Sequence, residues 1–224
     1  MELNELLALP RGLTAVIGSG GKTTTMYTLA RELSRRGSVI CTTTTHIFPP
    51  EHIPLLVEPE EAALAAALAR DRCLCVGAPG PEGKLTAPAI PMERLAALAD
   101  YVLVEADGSR NLPLKAHAPH EPVIPSCAAR VVLVVGLSGV GQPIATAVHR
   151  PERFCALTGL TVGCAADERA VAAVIAAEAL ADTVFFNQAE GPQRLAAART
   201  MAGLLPGRAI FAGSLREGVW QCLS

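Results

Sequence analysis

Leu13-Thr-Ala-Val-Ile-Gly18-Ser19-Gly20-Gly21-Lys22-Thr23-Thr24 joins an apolar run to a glycine-rich turn, and the turn to a lysine and two threonines that open a helical pattern. Five residues without a charge, rich in β-branched side chains, suit a strand buried in a parallel sheet. Gly18, Gly20 and Gly21 let the backbone turn left-handed and approach a ligand closely, so successive N–H groups can face phosphate oxygens. A helix starting near Lys22 adds its positive end at the same place. Lys22 supplies an ammonium for β and γ phosphates, and Thr23 a hydroxyl for a nucleotide-bound Mg²⁺. Ser19 and Thr24 complete the expected nucleotide-binding loop. The general phosphate-loop pattern has a glycine six places before the lysine, where this chain has Val16. The competing reading is a plain strand-to-helix turn with an incidental lysine.

The chain has 224 residues, half of them apolar, which is enough for one large core, and a single domain over residues 1–224 is expected. A net charge of −2 provides no broad cationic field, so nucleic acid is not an expected partner and a nucleotide is the likelier anion class. Seven scattered cysteines lack the paired spacing of a zinc site and fit reduced thiols in the cytoplasm. No basic leader with an apolar stretch opens the chain, and no run approaches the ~20 apolar residues of a membrane span.

Outward from the glycine turn, apolar runs alternate with helical periodicity. Met26, Leu29, Ala30 and Leu33 fall on one helical face, with Gly37 expected to end that helix in a C′ position. Strands are expected at Ser38 to Thr42, Cys73 to Val76, Tyr101 to Val104, Arg130 to Val135, Thr183 to Phe186 and Ala209 to Ala212. Helices are expected at Glu58 to Arg70, Met92 to Ala99, His149 to Leu157, Asp167 to Leu180 and Pro192 to Leu205. Gly77 to Lys84 reads as a surface loop, and Leu215 to Ser224 as a closing segment. The alternation predicts an α/β fold of the phosphate-loop NTPase kind: a mostly parallel sheet with helices on both faces.

Open α/β sheets bind ligands beyond the carboxyl ends of their strands, so the residues there are the candidates for chemistry. Thr42-Thr43-Thr44-Thr45-His46 follows the second strand. Either the threonines extend that strand, or they bring hydroxyls to the γ phosphate, with Thr45 as a candidate Mg²⁺ ligand. His46 either faces a substrate or is simply solvated. Tyr101 to Val104 delivers Glu105 and Asp107 at its end, as a Walker B strand does, and both are candidates to hold Mg²⁺ or orient an attacking water. With Lys22 they form the expected catalytic set. Arg110 follows. Leu112 to Pro125, too rich in proline for a helix, places Lys115, His117, His120 and Glu121 within seven residues. It is read as a stiffened loop presenting charged groups to a substrate or partner, in preference to a weak metal site. Finally, Asn187-Gln188-Ala-Glu190 follows the strand where guanine-specific proteins carry Asn-Lys-x-Asp. Glu190 keeps an acceptor for the base, whereas Gln188 loses the lysine contact, so ATP and GTP both stay open.

These residues resemble two groups of known proteins. GxGGKTT is similar to the loop of Mur-type ligases and of some metal- and cofactor-maturation GTPases. Over most of its length the chain resembles the selenium-dependent hydroxylase accessory proteins, the YqeC-type family, through Gly18 to Thr24, Thr42 to His46, Val104-Glu-Ala-Asp-Gly-Ser109, Pro113-Leu-Lys115 and His120-Glu-Pro-Val-Ile-Pro125. That resemblance implies a nucleotide-binding protein that assists maturation of molybdenum hydroxylases carrying labile selenium. It leaves three activities open: an Mg²⁺-dependent NTPase, a non-catalytic nucleotide-gated switch or carrier, and a ligase or kinase that activates a small substrate with the γ phosphate.

Overall fold

Val16 and Thr43 flank Glu105 in register on neighbouring parallel strands, so the strand that leads to the expected phosphate loop, the threonine run and the carboxylate strand reach one level of one sheet. This arrangement comes from a computed structural model describing residues 1–224. Strands and helices alternate, and the sheet is mostly parallel and flanked by helices, as the α/β pattern predicts. Contacts gather the chain into two compact units: Met1–Val16, Thr23–Asp107 and Val123–Arg130 form the first, and Ile17–Lys22, Gly108–Pro122 and Val131–Ser224 the second.

The first unit carries α1 (Leu3–Leu6), most of β1 (Gly12–Gly18), α2 (Lys22–Leu33), β2 (Val39–Thr43), β3 (Leu55–Val57), α3 (Glu61–Asp71), β4 (Cys73–Pro79), β5 (Leu85–Thr86), α4 (Met92–Leu98) and β6 (Tyr101–Glu105). Its strands run parallel in the order β1-β6-β2-β4-β3, with β5 antiparallel on β4. Leu13, Ile40, Leu64, Leu74, Leu95 and Val102 form the heart of its core. The stretch expected as a loop at Gly77 to Lys84 is a hairpin, because β4 runs on to Pro79 and pairs back with β5. Gly37 does not cap α2: the helix ends at Leu33, and Gly37 is there because any Cβ would strike the Asp100 carboxylate. That carboxylate accepts from the Ser38 N–H at 2.8 Å and from its hydroxyl at 3.0 Å, bonds that hold it below the usual carboxylate range.

The second unit carries β7 (Leu114–Lys115), most of β8 (Ala128–Gly136), α5 (Ile144–Ala147), β9 (Val148–His149), α6 (Pro151–Thr158), α7 (Glu168–Glu178), β10 (Thr183–Asn187), α8 (Gly191–Gly203), β11 (Ala209–Ser214) and β12 (Val219–Cys222). β8, β10 and β11 are parallel neighbours, and the closing segment supplies β12 antiparallel on β11. β7 and β9 pair separately. Asp167 caps α7 as expected, its carboxylate accepting from the Ala170 N–H at 2.8 Å. All seven cysteines are unbridged, and no helix is long and apolar enough to cross a membrane.

Candidate functional site

Within the second unit, the glycine turn is built against the chain's own backbone. Gly20 has φ +76°, and a Cβ there would overlap the backbone of Gly136. Only glycine satisfies both the left-handed turn and that approach. Ser19 ties the turn down, its N–H donating to the Val134 carbonyl and its hydroxyl to the Pro113 carbonyl, each at 2.9 Å. Asn187, at the end of β10, donates to the Gly20 carbonyl at 2.7 Å and accepts from the Leu215 N–H at 3.2 Å. Asn187 is thus a brace of the turn and caps no helix: it ends β10, and α8 begins at Gly191 with Glu190 before it. The Lys22 ammonium, on a residue 4% exposed, donates to the Gly18 carbonyl at 2.8 Å and to the Ser109 hydroxyl at 3.2 Å.

Within the first unit, Thr23 follows Lys22 in the chain and its hydroxyl donates to Glu105 Oε2 at 2.7 Å. The Glu105 carbonyl accepts from the Thr43 hydroxyl at 2.8 Å and the Thr44 N–H at 3.2 Å. Thr45 donates its N–H to the Thr43 hydroxyl at 2.9 Å, and the two hydroxyls stand 3.3 Å apart. Of the two readings of the threonine run, Thr42 and Thr43 extend β2 and Thr44 and Thr45 leave it. Glu105 and Asp107 are both buried, whereas Thr24 and His46 are exposed. Thr23 and Glu105 thus pair a hydroxyl with a carboxylate, oxygen donors of the hard kind that Mg²⁺ takes. No group of three or more His, Cys, Asp or Glu side chains gathers anywhere as a metal cage.

Around Asn187, Gln188 sits at φ 64° and its side-chain oxygen accepts from the Ser138 hydroxyl at 2.5 Å. Glu190 accepts from the Ser214 hydroxyl at 2.6 Å and from Arg194 at 2.7 Å. Burial pushes the Glu190 carboxyl up, but Ser214, its own backbone N–H and Arg194 outweigh that and hold it below the usual range.

The proline-rich loop closes much of its charge on itself. Lys115, with a side chain 1% exposed, donates to the Gly108 carbonyl at 2.6 Å and lies 3.0 Å from Glu121, which also accepts from Arg150 Nε at 2.8 Å. His117 donates its N–H to one Glu178 oxygen at 2.6 Å, and its Nδ1 lies 2.7 Å from the other. Lys115 and His117 line a small cavity together with Gly18, Ser19 and Phe154. Arg110 and His120 are exposed. Residue patterns missed Ser109, Ser138, Arg150, Glu178 and Ser214 as partners. Only Ser109 carried a signal, its place directly after the Glu105-Ala-Asp107-Gly run.

Fold and loop together define an α/β chain with a GxGGKTT turn at the carboxyl end of a parallel strand. The profile of the YqeC protein family matches residues 14–152, and the chain belongs to that family. The matched stretch contains the glycine turn, the threonines, Glu105, Asp107 and the proline-rich loop, and stops short of Asn187. The YqeC protein of Escherichia coli (strain K12) is 39% identical over 155 residues, covering 66% of this chain and 60% of that relative. Among solved structures, that of FlhF complexed with GMPPNP and Mg²⁺ aligns at a TM-score of 0.45 with 14% identity, covering 96% of this chain and 71% of that one.

Proposed function

We propose that this chain is an Mg²⁺-dependent nucleoside-triphosphate-binding protein that hydrolyses its nucleotide in the cytoplasm as an accessory factor in maturation of selenium-dependent molybdenum hydroxylases. The observation that carries the nucleotide reading is the position of Lys22 and Thr23 at the start of α2, directly after a turn whose glycines cannot be replaced without a clash. The turn's backbone N–H groups and the helix N-terminus are the donors for the phosphates. Lys22 turns from Ser109 onto the β and γ oxygens and keeps its bond to the Gly18 carbonyl. Thr23 and Glu105 are the residues that would hold Mg²⁺, with Thr45 and Asp107 in supporting positions, and a bound Mg²⁺ neutralises charge on the phosphates. Glu105 and Asp107, buried at the end of β6, orient a water for attack.

The proline-rich loop offers fewer free charges than its composition implies. Lys115, His117 and Glu121 support the loop from within, and Arg110 and His120 are the groups left on its surface for a hydroxylase or its cofactor. The hydroxylase role rests on the family resemblance and on this exposed pair. For the base, Glu190 is the acceptor for guanine donors, and Ser214 and Arg194 keep it ionised.

Calorimetry with ATP, GTP and their diphosphates in Mg²⁺, run alongside phosphate release, tests the core of the proposal. Lys22→Ala should weaken triphosphate binding by about 2 kcal/mol, the scale of a lost charge-assisted contact. Equal affinity in the variant and the parent chain would remove the phosphate loop from the account.

A further inference from the structure

Residues Gly108 to Pro113 are tied down at three points in the second unit. Gly108 is held through its carbonyl by Lys115 at 2.6 Å. Pro113 is held through its carbonyl by the Ser19 hydroxyl and the Gly136 N–H, both at 2.9 Å. Between them Ser109 is held by Lys22 at 3.2 Å. Of the three ties, only the last uses a charged side chain that a triphosphate would draw away.

The turn between these ties is unfavourable for one of its two central residues. The Leu112 N–H closes onto the Ser109 carbonyl at 3.0 Å, and both central residues are left-handed, Arg110 at φ 49° and Asn111 at φ 60°. Such turns favour glycine, asparagine and aspartate, and a left-handed arginine costs about 1–2 kcal/mol. A strained turn of this kind persists where its surroundings over-determine it and opens when a tie is lost.

We propose that Ser109 is a positioning residue that couples occupancy of the phosphate loop to the Ser109–Leu112 turn, so that a bound triphosphate takes Lys22 from Ser109 and releases the turn. This rests on the reading of Gly18–Thr23 as a triphosphate site. An ammonium has three donors. Contacts to a β and a γ oxygen leave one, and the shorter bond to the Gly18 carbonyl outlasts the longer one to a neutral hydroxyl. The bonds gained are charge-assisted at both ends, which makes them stronger than the one given up. The turn that opens carries exposed Arg110. The nucleotide state thereby sets the presentation of a cation on the protein surface.

Trypsin reads this directly, because the bond after Arg110 is cut only when the turn opens. The full chain is digested with Mg²⁺ and a non-hydrolysable triphosphate, of adenosine and of guanosine in turn, with the diphosphate, or with no nucleotide. Cleavage at Arg110–Asn111 is quantified by mass spectrometry, and calorimetry is run on the same samples. Triphosphate should speed that cleavage about fivefold, the shift expected from losing one neutral hydrogen bond in a local opening equilibrium, while diphosphate leaves it near the free rate. Ser109→Ala should be cut at the fast rate without nucleotide and gain nothing from it, and Ser109→Thr should restore the dependence. Heat of binding with an unchanged or slower cut at Arg110 would overturn the coupling and leave the triphosphate site standing. A Ser109→Ala chain that keeps the parent pattern would do the same. Absence of heat with every triphosphate would overturn the site and the coupling together.

Discussion

Replacing Glu121 by glutamine tests how much of the second unit's stability rests on a buried ion cluster. The Glu121 side chain is 9% exposed and receives Lys115 at 3.0 Å, Arg150 at 2.8 Å and the Ala118 N–H at 3.3 Å. Burial alone would raise its pKa, but the hydrogen bonds from Arg150 and Lys115, with the Lys115 charge, hold it down to about 2. Against about 4.3 in an unfolded chain, a depression of about two units corresponds to about 3 kcal/mol of folding free energy. The sign follows from proton uptake: on acidification the unfolded chain binds the proton first. The contribution is therefore complete above the unfolded pKa and is lost as pH falls from about 4 toward 2. Glu121→Gln removes it at neutral pH and leaves the Lys115 charge in a site 1% exposed, a change in the class that costs about 3–5 kcal/mol. The chain's single tryptophan, Trp220, lies in the same unit, so its fluorescence in urea titrations reports the relevant transition. At pH 7 the variant should be less stable by about 3 kcal/mol, and the gap should narrow by pH 3 and nearly close at pH 2. A loss under about 1 kcal/mol at pH 7, the scale of an exposed pair, or a gap that ignores pH would refute the reasoning.

Two further changes probe the carboxylate strand and the glycine turn. Glu105→Gln keeps the shape that faces the Thr23 hydroxyl but removes the carboxylate charge, so turnover should fall about a hundredfold while triphosphate affinity changes far less. Single-turnover phosphate release beside calorimetry checks it. Gly20→Ala adds a Cβ to a left-handed residue that overlaps the Gly136 backbone, at about 1–2 kcal/mol for conformation and about 1–3 kcal/mol for crowding. Gly83→Ala, at φ +72° with open space around it, should lose the conformational part alone, and melting of the two variants separates the contributions.

Most of the fold could be read because buried parallel strands are continuous apolar runs and the turns between them carry glycine. β1, β6, β8 and β10 announce themselves in this way. β3, β5 and β12 do not, since three residues among prolines, two residues in a hairpin and an exposed edge segment owe their strand state to a partner and not to a pattern. α3 starts at Glu61 and not at Glu58 for a local reason: Glu58 precedes Pro59, which disfavours the helical region, and it takes φ 45°. Gly37 shows the opposite limit. A glycine after a helix suggests a cap, yet what demands it is the carboxylate of Asp100, far away in sequence.

The same division runs through the site. The phosphate-loop pattern is contiguous: its donors are successive backbone groups, its helix begins at the next residue, and Glu105, in register with Val16, accepts from the Thr23 hydroxyl at the start of that helix. Chemistry of that kind is written in spacing. The charges of the proline-rich loop are not, because a lysine reads the same in a sequence whether it faces a ligand or a buried carboxylate. Lys115 and His120 look equivalent on the page, five residues apart in a stiff segment. One is sealed against Glu121 and Gly108, and the other is in water. What separates them is Arg150, which reaches Glu121 from just before α6. Without Arg150, Glu121 would have only Lys115 and the Ala118 N–H to offset its burial, and the loop would have less reason to fold its charges inward. Changing Lys115 and His120 together to alanine would therefore confound a stability defect with a loss of surface chemistry, whereas His120→Ala alone leaves the buried cluster intact.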